Sequence, residues 1–105
     1  MSHLHELTDD QRAHLAVAEA DTARLTRLIR TARTGGLPAH QWLTAVTLAA
    51  GIADRAQHIA DLAPVAAARQ PWATSARLIR DTAARFELWA HLAAIDPAEV
   101  AGEVR

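Results

Sequence analysis

Histidines and carboxylates are the residues of this chain whose types and spacing come nearest to chemistry. Six histidines are present. His40, Asp54, His58 and Asp61 fall on one face of the stretch that follows Pro38, and Asp54 and His58 stand one helical turn apart, as do Glu87 and His91. A carboxylate and an imidazole at that spacing can share a cation. A di-metal site in a helical bundle, however, takes inward-pointing ligands, usually with a Glu-x-x-His motif from paired helices. This chain has no such motif and no His-Glu-x-x-His. The pairs lie on polar arcs and read as solvated i,i+4 neighbours, each worth about 0.3 kcal/mol. No metal and no cofactor is expected. His14 differs, because its helical angle puts it within an apolar face. That position calls for a half-buried ring with a hydrogen-bond partner, or for a pH-responsive or ligand-binding ring.

Nucleophilic catalysis has little to work with. Ser2 and Ser75 are the only serines, and neither sits in a nucleophile-elbow context. Gly35-Gly36 follows a helical stretch, not the strand that a phosphate-binding loop requires. The absence of cysteine excludes disulfides, thiolate ligands and thiol nucleophiles. An enzyme is not expected.

Arginine offers a different chemistry. Arg24, Arg27, Arg30 and Arg33 form a run with no acid among them. Arg24, Arg27, Arg30, Arg77 and Arg80 form a candidate basic surface for a phosphate backbone. Against that, Arg77-Asp81-Arg85 is an i,i+4 ladder that neutralises itself. The net charge of -1, from 11 basic and 12 acidic residues, supplies no long-range field for nucleic acid or an anionic membrane. All 11 basic residues are arginine. With the alanine excess, this reads as the codon usage of a GC-rich genome.

The elements that position these groups are marked by punctuation. Gly35-Gly36-Leu37-Pro38 and Gln70-Pro71 divide the chain into three stretches whose apolar residues recur at spacings of three and four. The first helix is predicted over about 9-34, with Thr8 and Gln11 as a capping box and Gly35-Gly36 as its stop. Its seam is Leu15, Ala18, Thr22, Leu25, Ile29 and Ala32. The second is predicted over about 38-63, with Trp42, Ala45 or Val46, Ala49, Ile52 or Ala53, Ala56, Ile59 or Ala60, and Ala63 on its seam and Pro64 beyond its last apolar residue. Gly51 inside it reads as a close helix crossing. The fragment Leu48 to Arg55 resembles the turn of a helix-turn-helix, but Gln57 and Asp61 stand where a second helix needs apolar residues. One continuous helix is therefore expected. The third is predicted over about 71-95, with Trp72, Ala76, Ile79, Ala83, Phe86, Ala90 and Ala93 in strict alternation. Leu78, Trp89 and Leu92 widen that face. Asp96-Pro97-Ala98-Glu99 opens a short helix over about 97-104.

Short connections make neighbouring helices antiparallel. The expectation is an all-α, up-down-up three-helix antiparallel bundle with a short C-terminal helix, residues 1-105 forming one domain. Antiparallel packing brings Trp42 toward Trp89. Leu88, Trp89, Leu92 and Ile95 give the end of the third helix more apolar surface than one seam can bury, and they are the candidate protein interface. The N-terminus lacks the blocks of a signal peptide, and Leu43 to Ala53 is too short to span a bilayer. A soluble, cytoplasmic protein without membrane contact is expected. The favoured function is protein contact without catalysis, by self-association or as an accessory protein. A nucleic-acid-associated or regulatory role through the arginines is the alternative.

Overall fold

The computed structural model describes residues 7–95 of the chain. Three α-helices account for nearly all of them, and there is no strand among the described residues. Helix α1 spans Asp9–Gly35, α2 spans Ala39–Asp61 and α3 spans Ala66–Ala94.

The boundaries follow from local chemistry. Thr8 takes extended backbone and its hydroxyl accepts from the Gln11 amide at 3.2 Å, while the Gln11 side chain accepts from the Thr8 amide at 2.9 Å. This capping box satisfies two amides at the helix start that have no partner within the helix. At the other end Gly36 has φ 75°, where a Cβ would be strained, and its amide donates to the Ala32 carbonyl at 3.0 Å. Pro38 precedes α2 as its cap, and its carbonyl accepts from the amides of Gln41 and Trp42. Helix α2 ends at Asp61, just before Pro64, as a proline without a donor requires.

The start of α3 departs from the sequence expectation. The helix begins at Ala66, five residues before Pro71, so that proline lies inside it. Val65 supplies the extended cap, and its carbonyl accepts from Ala68 and Arg69. Pro71 is the sixth helical residue. The carbonyl its ring crowds belongs to Ala67, in the first turn, where few hydrogen bonds depend on it. The short helix expected over about 97-104 lies outside the described residues.

Helix α2 is the central element, packed on both α1 and α3. Contacts run in opposite order along each pair. The start of α1 meets the end of α2 at Gln11 and Ile59, and the start of α2 meets the end of α3 at Trp42 and Trp89. Only α2 buries a full face, including Ala45, Ala49, Ala53, Ile59 and Ala60 with no exposed surface. The seam read from its sequence is that face, with Leu48 added on the side toward α1.

Among the described residues, ten of the fifteen buried apolar side chains are alanines. Close backbone approach, and not side-chain bulk, therefore fills the centre, where Ala45 and Ala49 meet Ala83 and Phe86. Leu25, Leu28 and Ile29 pack against that cluster from α1 while remaining half-buried. The α1 seam is otherwise shallow, and Ala18 is its one buried apolar residue.

Helix α2 passes through Gly51 unbroken. The close crossing expected there is not found. A Cβ on Gly51 would meet only the flexible carboxylate of Asp21, at 3.9 Å. No helix among the described residues is long and apolar enough to cross a membrane.

Candidate functional site

Trp42, Phe86 and Trp89 gather at the end of the molecule where α1 turns into α2. Trp42 sits in the first turn of α2, and Phe86 and Trp89 sit one turn apart on α3. The two tryptophan rings meet edge to face, with centroids 5.1 Å apart and planes at 63°. Phe86 lies 5.8 Å from each. Edge-to-face pairs of this kind add about 1 kcal/mol beyond the area they bury. Phe86 is buried, whereas Trp89 leaves 42% of its surface open.

That opening is part of a cleft of about 580 Å³ between α1 and α3, with α2 as its floor. Ile29, Ala32, Trp42, Phe86 and Trp89 make its walls apolar, and among the described residues Arg33 is the only charged one lining it. Thr82 also lines it, but its hydroxyl donates to the Leu78 carbonyl at 3.1 Å, so the cleft gains no free donor there. A second cleft, of about 220 Å³, opens between the same helices toward the other end. Leu15, Ala18, Ile59 and Trp72 are among its walls, and among the described residues Glu19 is the only charged one. Between the two clefts Leu25 closes on the alanine core.

The four candidate interface residues are all exposed, with Leu88 at 56%, Trp89 at 42%, Leu92 at 55% and Ile95 at 46%. At 3.6 residues per turn they follow one another round about a third of α3, in the order Trp89, Leu92, Leu88, Ile95. Trp89 lines the large cleft, and Leu88 and Ile95 lie farthest round from it, toward the back of the helix. Leu78, expected to widen the buried face, is instead 56% exposed.

The candidate basic surface is divided. Arg24 and Arg27 line a groove of about 240 Å³ between α1 and α2 with Leu28, Thr31, Thr44 and Leu48. Arg24 faces Asp21 at 3.9 Å. Arg80 reaches from α3 to Asp54 of α2 at 3.6 Å. Arg30 and Arg77 are exposed on α1 and α3. Arg24 and Arg27 thus lie in the groove between α1 and α2, and Arg80 lies on an aspartate of α2.

The histidines and acids on the polar arcs also part company. Asp54 faces Arg80, and His58 stacks on His14 with ring centroids 5.0 Å apart and planes at 15°. His14 is half-buried, and its Nδ1 lies 2.9 Å from Arg55 Nη1. Because a guanidinium only donates, this contact makes Nδ1 the acceptor and places the neutral ring's proton on Nε2. The expectation of a half-buried histidine with a partner describes this ring. Glu87 and His91 are exposed. No cluster of three or more His, Cys, Asp or Glu side chains suited to a metal occurs among the described residues.

One contact escaped the sequence reading. Gln11 is buried, and its Nε2 donates to the Ile59 carbonyl at 3.0 Å. One side chain therefore closes the start of α1 and supplies a donor to the last turn of α2. A signal exists in the spacing, since extending the α1 seam back four residues from Leu15 lands on Gln11. Arg55, the partner of His14, gives no comparable signal.

No family model, no curated protein and no solved structure matches the chain.

Proposed function

We propose that this protein is a non-catalytic helical module that acts by protein contact, with the Trp89 and Leu92 side of α3 and the adjoining cleft as its docking face. One observation carries the reading. Trp89 stays about half exposed in the wall of an apolar cleft of about 580 Å³, and Leu92, three residues on along α3, is exposed as well. Large apolar side chains beside an unfilled concavity are the ordinary anatomy of an interface centre, and tryptophan is the residue most enriched there. The arrangement is that of an up-down-up antiparallel bundle in a soluble, cytoplasmic setting. Leu88 and Ile95, on the back of α3, extend the apolar surface to a second side of the same corner.

The alternative, phosphate contact through Arg24, Arg27, Arg30, Arg77 and Arg80, has weaker support. Arg24 and Arg80 already face aspartates. No enzymatic step is proposed.

The test is fluorescence quenching of a Trp42→Phe, Trp72→Phe protein, in which Trp89 is the only tryptophan left to emit. The expected result is that Trp89 is freely quenched by iodide in dilute protein and becomes shielded when protein concentration rises or a partner is added. Quenching that never changes, in concentrated protein or in the host extract, contradicts the reading.

A further inference from the structure

The two clefts between α1 and α3 carry opposite charges at opposite ends of one face. Among the described residues, Arg33 is the only charged one lining the cleft beside Trp89, and Glu19 is the only one lining the cleft beside Trp72. Both side chains are exposed. A surface with an acid at one end and a base at the other is complementary to itself when turned end for end. A two-fold axis across the face makes that turn, and it places the same patch on both sides of the contact.

We propose that this face binds a second copy of the chain head to tail, Glu19 of each copy pairing with Arg33 of the other. The proposal rests on the protein-contact reading above and names the partner and its orientation. In this arrangement the protruding Trp89 and Leu92 of each copy lie over the other copy's Trp72 cleft. The apolar corner and the smaller concavity then cover one another. A groove-bound peptide or small apolar ligand would draw on one cleft and leave the charge at the other end unused.

The experiment is a charge swap followed by mixing, read by sedimentation equilibrium. In Glu19→Arg, or in Arg33→Glu, both symmetry-related pairs turn from attractive to repulsive. Each variant alone is expected to dimerise about tenfold more weakly than the wild type. Mixed in equal amounts, the two variants form a heterodimer in which one of the two contacts pairs the new arginine with the new glutamate, its charges exchanged in place, and the other is the native pair of Glu19 from one copy and Arg33 from the other, and association returns toward the wild-type level. Both sites are exposed, and circular dichroism of each variant checks that the helices are retained. A dimer indifferent to both reversals, or a mixture that stays as weak as its parts, overturns the head-to-tail mode. If Leu92→Glu still abolishes that dimer, the protein-contact reading survives its loss. A wild-type chain that never self-associates overturns the second copy as the partner outright.

Discussion

Gln11 connects two levels of the structure in one side chain. Its carbonyl oxygen completes the capping box with Thr8, and its amide reaches across to the Ile59 carbonyl in the final turn of α2. Ile59 lies where helix carbonyls run out of partners, since Ala63 donates instead to Ala60. Gln11→Ala removes the donor from a buried carbonyl and half of the cap. It is expected to lower stability by about 2 kcal/mol in urea denaturation, with no change in helix content at zero denaturant. A loss too small to measure would show that water replaces the amide. The capping half of this role was legible because Thr8-x-x-Gln11 is a local pattern. The tertiary half was not, because sequence spacing shows which face a residue occupies and not which carbonyl is left open opposite it. The same limit applies to His14, whose half-buried position could be read from helical angle but whose partner, Arg55, could not.

At the scale of helices, the alternation of threes and fours located all three elements and the buried face of α2. Burial then fell short of the pattern on both outer helices. Thr22 in the α1 seam and Ala93 in the α3 seam are exposed, as are Leu78 and Leu92, because α1 and α3 both lean on α2 and leave a gap between them. Periodicity measures how much apolar surface a helix has, and not how much its neighbours cover. Pro71 misled in a different way. Read as a first-turn residue, it set the start of α3 five residues late, since a proline in the second turn costs little where the first-turn carbonyls are already exposed. Gly51 gives the element-scale prediction. A methyl group there would find only the Asp21 carboxylate, at 3.9 Å, so nothing demands glycine. Gly51→Ala is expected to stabilise the protein by about 1 kcal/mol, raising the midpoint of thermal unfolding. Destabilisation would mean that α1 and α2 approach more closely than this geometry allows.

For the molecule as a whole, the alanine-rich centre sets the problem that the exposed corner answers. Alanines let α2 approach its neighbours closely but bury little area each, and small bundles with modest cores commonly gain stability by association. Clefts open on the side between α1 and α3, Trp89 stands exposed in the α3 wall of one of them, and Leu78 and Leu92 are exposed on the same helix. The excess of apolar surface at the end of α3 was visible in the sequence as more leucine and tryptophan than one seam holds. The clefts were not, since they arise from the spacing of two helices that are not neighbours in the chain. Association through that corner is decided by sedimentation equilibrium of the wild type beside Leu92→Glu. The expected outcome is a reversible dimer for the wild type and at least about a tenfold loss of association for the variant, with helix content unchanged. A wild type that is monomeric at every concentration, and indistinguishable from Leu92→Glu, would refute self-association.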